Sequence, residues 1–349
     1  MLNADWFNSL QAIVKNVYNH LQDDLSKEIF KNRLMYSLTD DYEHIRKIVR
    51  KTDEVKEIRS ILERFNGNKK LILDGAGSMG ELVYNLFPGV KWLCFSDKKV
   101  SKKEFCGLPV IKREHAVKSY PDAVFVITSY TYEKEIYREL IALGVKAENI
   151  LNIGRKRKEQ ETRQYFKEPF IEYSEDEVIV DGGCYNGQTI SNFYDNNKGI
   201  AKRIYAFEPD LINYNNCKVY INEKGYDNVQ LFNKGLWNES TRLKFNAEHG
   251  EGSSVTDSGA EIIYVTSIDE AIKEDVTFIK LDVEGSELNA LIGAKNTIMK
   301  NKPKMAICIY HIKSDILEIA RYILSLREDY KLYIRHYSFD SLETVLYSI

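Results

Sequence analysis

The residues best suited to chemistry lie in two glycine-rich turns, each set between an apolar β-like run and a helical one. In Asp181-Gly182-Gly183-Cys184-Tyr185-Asn186-Gly187-Gln188-Thr189, an acid ends the run EVIVD, and the glycines let bare backbone pass close to a ligand. Amides at the start of the following helix can receive a carboxylate or phosphate, while Asp181 can orient the loop or an ammonium group. Glu208 closes the next β-like run, where one carboxylate can accept both hydroxyls of a ribose. The earlier turn places Gly75, Gly77 and Gly80 in G-x-G-x-x-G order, with Asp97 at the end of the next run. That spacing suits NAD or another nucleotide, but a tight strand-to-helix turn needs glycine for packing alone.

Such turns work only if parallel strands hold them at one edge of a sheet. The chain alternates short β-like runs with helical segments twice over, the pattern of strands joined by right-handed crossovers. The first series contains LILD (71–74), KWLCFSD (91–97), AVFVIT (123–128) and NILNI (149–153). The second contains EVIVD, RIYAFE (203–208), NVQLFN (228–233), TFIKLDV (277–283) and KMAICIY (304–310). Its last two runs, KLYIRHY and ETVLYSI, stand too close together for a crossover helix and predict an antiparallel hairpin. The fold class is therefore α/β, with two Rossmann-like domains. Residues 1–66 read as an amphipathic helical arm, 67–154 as a small Rossmann-like domain, 155–170 as a charged linker and 171–349 as the larger domain.

Composition narrows the partners. With 349 residues, 44% hydrophobic and 29% charged, the chain has an ordinary globular make-up, and its net charge of −3 offers no bulk positive field for nucleic acid. The longest apolar stretches are strand-sized, so no membrane span is expected. Five scattered cysteines without a C-x-x-C pair indicate neither a disulfide framework nor a cysteine zinc site, and a cytoplasmic location is expected.

The first motif resembles that of class I S-adenosylmethionine (SAM) methyltransferases, with Tyr185 where many have a middle glycine. VIVDGGCYNGQT, YAFEPD (205–210), GLW (235–237), GSSV (252–255), TSIDE (266–270), FIKLDVEGSELNALIGA (278–294), IYH (309–311) and the closing hairpin together resemble the FkbM family of SAM-dependent methyltransferases. The resemblance begins near Glu177 and does not reach the first half, which is similar instead to small Rossmann-like modules of polysaccharide-biosynthesis proteins. It implies an O-methyltransferase acting on a sugar or glycan hydroxyl, or on a nucleotide-activated precursor. It places Asp181, Gly182, Gly183, Tyr185, Gly187 and Thr189 around the methionine end of SAM, Glu208 at the ribose, and Gly235 and Leu236 beside the adenine. Asp282, Glu284 and His311 would face the transferred methyl, with His311 as base near neutral pH and Asp282 and Glu284 as candidate Mg²⁺ ligands.

Plainer roles compete with these. Glu284 could cap the following helix, His311 could be a packed histidine bonded to backbone, and Ser253 and Ser254 could only keep a loop supple. Asp269 reads as structural. The competing function is a nucleotide-sugar or NAD-dependent oxidoreductase or epimerase built on the first turn. The helical arm could pack on a domain of the same chain or pair two copies of it, and a fragment from about Phe166 onward is expected to bind SAM without the first half.

Overall fold

The computed structural model describes residues 4–246, 254–255, 259 and 261–349. The chain forms two compact units, one made of residues 1–41, 163–336 and 341–349, the other of 42–162 and 337–340. This partition differs from the sequence-based one at both ends of the first half. The arm is divided: helices α1 (Ala4–His20) and α2 (Asp24–Thr39) belong to the larger unit, α3 (Glu43–Val49) and α4 (Asp53–Phe65) to the smaller.

In the smaller unit, strands β1 (Leu71–Asp74), β2 (Trp92–Asp97), β3 (Glu104–Phe105), β4 (Leu108–Lys112), β5 (Val124–Ile127) and β6 (Ile150–Asn152) form one sheet in the order β3-β4-β2-β1-β5-β6. All neighbours are parallel except β3 and β4. Helices α5 (Ser78–Leu86), α6 (Arg113–Ser119) and α7 (Glu133–Ala142) are the connections, and α8 (Ile153–Glu161) follows β6. The segment read as a linker is thus helical in its first part, with Asn152 capping the helix through the Arg155 amide. Its second part buries Tyr165 and Phe166, whose rings are too apolar to leave in water.

The larger unit holds β7 (Val178–Gly182), α9 (Gln188–Asn196), β8 (Arg203–Phe207), α10 (Leu211–Lys224) and β9 (Val229–Phe232). A run of β10 (Gly235–Leu236), β11 (Thr241–Asn246), β12 (Ser254–Val255) and β13 (Glu261–Thr266) follows, then α11 (Ile268–Ala271), β14 (Phe278–Leu281), α12 (Glu287–Ile292) and α13 (Lys295–Asn301). Strand β15 (Lys304–Cys308), α14 (Asp315–Leu326), β16 (Leu332–His336) and β17 (Thr344–Ser348) complete it. The main sheet runs β16-β17-β15-β14-β7-β8-β9, parallel except for β17, which is antiparallel to both neighbours. Strand order reverses between β7 and β14, so the crevice of this open sheet lies off the carboxyl ends of those strands. The second sheet, β10-β13-β11-β12, was not foreseen, because short strands within a polar stretch give little periodic signal.

The N-terminal helices are part of this unit. Val17, Leu21, Ile29 and Phe30 are at most 2% exposed. The Gln22 amide donates to the Leu332 carbonyl at 3.0 Å, and the Ile334 amide donates to the Ser26 hydroxyl at 2.9 Å, so residues 21–26 cover the open edge at β16. Arg335 on that strand pairs with Asp23 at 2.7 Å and Glu168 at 3.1 Å. One apolar face of these helices is thus buried within the same unit, while Met35 and Leu38 remain exposed.

Candidate active site

The turn after β7 is built around close approach. Gly183 has φ 73°, and a Cβ there would overlap the Asp282 carbonyl; Gly187 has φ 84° and lies against Cys217 and Tyr220. A Cβ on Gly182 would come within 2.8 Å of both Leu236 and Leu281. Tyr185 takes the left-handed conformation, φ 49°, a strain an L-residue accepts only where its surroundings enforce it. Its amide donates to Glu208 Oε2 at 2.9 Å, while the Asp210 amide donates to Oε1 at 3.0 Å. Each Glu208 oxygen keeps a lone pair for a ligand hydroxyl. Burial lifts the pKa of Glu208 to about 7, against these two amide bonds.

Asp181 is fixed from both sides. Thr189 Oγ1 donates to its Oδ2 at 2.5 Å, and Lys280 Nζ lies 3.0 Å from Oδ1. Lys280 is fully buried and also donates to the carbonyls of Gly182 at 3.0 Å and Gly183 at 2.7 Å, tying the turn to the floor of the sheet. Burial opposes its charge, but Asp181 and Asp282 outweigh it and raise the lysine's pKa. Sequence reasoning missed Lys280, although a single charge inside the apolar run FIKL was a readable sign that a buried partner exists.

Gly235 and Leu236 form β10; the site for a Cβ on Gly235 lies 3.7 Å from Pro209, next to Glu208. Asp282 follows β14, and its carboxylate accepts from Tyr165 Oη at 2.9 Å and Tyr310 Oη at 3.2 Å. Burial works against ionisation of Asp282, yet Lys280, His311 and Tyr165 together hold its pKa below the usual value. Glu284 and Gly285 both have positive φ, 52° and 89°, and this turn brings Glu284 Oε2 to 3.3 Å from His311 Nε2. Asp282 Oδ1 is 3.6 Å from the same nitrogen, and Glu287 Oε1 is 2.9 Å from Nδ1. Glu284 thus faces the histidine. His311 meets three carboxylates rather than backbone. Burial opposes its charge, but Glu287, Asp282 and Glu284 outweigh it and lift its pKa to about 9. A pocket of about 400 Å³ opens over the cluster, lined by Trp237, Glu284, Gly285, Ser286, Tyr310, His311, Ile312 and Leu342.

Asp269 is structural, accepting from the Asn296 and Thr297 amides and so capping α13. Ser253 lies outside the described residues, as does the side chain of Ser254. In the smaller unit, Gly75 and Gly80 are required by packing: a Cβ on Gly75 would come within 2.6 Å of Thr128 Oγ1, and one on Gly80 would overlap the Gly75 carbonyl. Gly77 faces open space. Asp97 accepts from the amides of Ala76 at 2.9 Å and Lys99 at 3.2 Å, one on each oxygen. Asp74 is buried against Arg113 and Ser96.

A parallel sheet with this strand order, a glycine turn at its switch point and a closing antiparallel strand define a Rossmann-like methyltransferase fold. Residues 181–332 match the family model described as the methyltransferase FkbM domain. The fold is similar to that of a methyltransferase FkbM from Methylobacillus flagellatus KT, at 20% identity and TM-score 0.52, over 93% of this chain and 99% of that one. Fainter likenesses reach an rRNA methylase from Streptococcus thermophilus, at 15% identity and TM-score 0.34, over 50% of this chain and 86% of the other. Another is Aeropyrum pernix fibrillarin with natively bound S-adenosyl-L-methionine, at 14% identity and TM-score 0.33, over 52% and 70%. No curated protein matches the chain in sequence. No helix among the described residues is long and apolar enough to cross a membrane.

Proposed function

We propose that the protein is a SAM-dependent O-methyltransferase whose acceptor is a sugar hydroxyl, in a glycan or its nucleotide-activated precursor. The observation that carries this reading is the convergence of the Gly182–Gly187 turn, Glu208 and the pocket over His311 at the carboxyl ends of adjacent strands. The methionyl end of SAM would lie on the turn, the ribose on Glu208 and the adenine beside Gly235 and Leu236. The pocket pairs apolar walls, Trp237 and Ile312, with polar groups at its base, which suits a sugar ring with one apolar face and several hydroxyls.

In the transfer, the acceptor oxygen attacks the methyl carbon in line with the sulfur. The S–CH3 bond breaks as the O–CH3 bond forms, and the hydroxyl proton must leave. Asp282, Glu284 and Glu287 outnumber the one imidazole they surround, so the cluster as a whole is an acid–base unit able to hold that proton.

Calorimetry with SAM tests the cofactor site. Glu208→Ala should weaken binding by about 1.5–3 kcal/mol, roughly ten- to a hundred-fold; parental affinity would remove Glu208 from the ribose site. The raised pKa adds a pH signature. Below about 7 Glu208 gains a proton and loses its charge as an acceptor, so SAM affinity should fall between pH 8 and pH 6. Glu208→Gln should flatten that dependence. The acceptor class is tested by release of S-adenosylhomocysteine with sugar nucleotides and glycans against non-sugar alcohols; turnover on the alcohols alone would discard the sugar.

A further inference from the structure

Among the described residues, Asp282, Glu284 and His311 each offer one ligand atom, and these three atoms lie within 4.8 Å of one another. Acidic clusters are common without an ion, so the histidine decides the case. Its side chain is nine-tenths buried, and its Nε2 has no hydrogen-bond partner while pointing between two carboxylate oxygens. Two ligands about 2.1 Å from one first-row ion stand roughly 3.0–3.5 Å apart. The separations from Nε2, 3.3 Å to Glu284 and 3.6 Å to Asp282, are close to that spacing.

The surroundings are also those of a metal-binding histidine. Glu287 is fully buried and sits 2.9 Å from Nδ1, within hydrogen-bond reach though off the ideal N–H direction. The same oxygen accepts the Val283 amide at 2.8 Å, so the carboxylate cannot swing away. A carboxylate behind one ring nitrogen fixes the tautomer that leaves the other nitrogen's lone pair facing the ion. Tyr165 and Tyr310 hold Asp282 in the same way.

We infer that Asp282, Glu284 and His311 form a three-ligand site for a borderline divalent cation such as Mn²⁺ or Zn²⁺, oriented from behind by Glu287 and open to the acceptor pocket. An imidazole ligand argues against Mg²⁺, which takes oxygen ligands and keeps several waters. The remaining coordination positions face the pocket that Glu284 and His311 line, within reach of an acceptor hydroxyl. There the ion would act as a Lewis acid, lowering that hydroxyl's pKa. This use rests on the methyl-transfer reading; binding of the ion does not, and the two are measured separately.

The test uses full-length protein stripped with chelator and titrated with Mn²⁺, followed by electron paramagnetic resonance, with SAM affinity measured by calorimetry on the same samples. One Mn²⁺ per chain is expected, with nitrogen coupling from the imidazole that vanishes in His311→Ala. Glu284→Gln, at a partly exposed side chain, should weaken Mn²⁺ binding at least about ten-fold. Glu287→Gln should weaken it about 10–100-fold. Mg²⁺ should displace Mn²⁺ only in large excess. Absence of bound Mn²⁺, or unchanged binding in Glu284→Gln, would overturn the site. Mn²⁺ binding without SAM binding would keep the site and discard the methyltransferase reading.

Discussion

Lys280→Met should destabilise the larger unit by about 3–5 kcal/mol, measured by denaturant unfolding, because it removes one partner of a buried ion pair and leaves Asp181 with an uncompensated charge. The methionine fills nearly the same volume, so the loss reports charge rather than a cavity. Adding Asp181→Asn should recover part of it, since an amide needs no counter-charge. SAM affinity should fall as well in Lys280→Met, because the carbonyls of Gly182 and Gly183 lose the donor that holds the turn. A single variant within 1 kcal/mol of the parent would show that the pair is not coupled to stability.

Deletion of residues 1–41 should have a comparable or larger effect. The deletion strips α1 and α2 from the sheet, uncovers the edge strand β16 and leaves Arg335 without Asp23. It also removes the buried Arg33, which donates to the carbonyls of Ser341 at 2.5 Å and of Tyr310, the residue before His311, at 3.3 Å. A chain starting near residue 163 is therefore expected to aggregate or to unfold without cooperativity, and not to bind SAM. Phe30→Ala in the full chain gives an independent measure, with an expected cost of about 3–5 kcal/mol for an emptied aromatic site. A soluble fragment from residue 163 with cooperative unfolding and parental SAM affinity would show that the N-terminal helices are only an appendage.

Much of the candidate site was legible because it is local. Asp181 and Glu208 each close an apolar run, and in a parallel sheet the ends of such runs face one crevice, so their neighbourhood follows from pattern alone. The same holds for the closing hairpin, where two β-like runs stand too close for any other connection. Glycines 182, 183 and 187 could be read as places of close approach before any neighbour was known.

What sequence left undecided depends on pairing between distant segments. Lys280 meets Asp181 because β14 and β7 align those two residues in register, and register is set by the packing of the whole sheet. Glu287 stands one turn beyond Glu284 in the chain, but only the placement of β15 beside β14 brings His311 between them. The same convergence of carboxylates raised the pKa of His311, which no local pattern encodes. For the N-terminal helices, amphipathic spacing determined that one face would be buried; which surface would bury it was settled by the bare edge of β16, an unsatisfied row of backbone donors and acceptors more than 300 residues away in sequence.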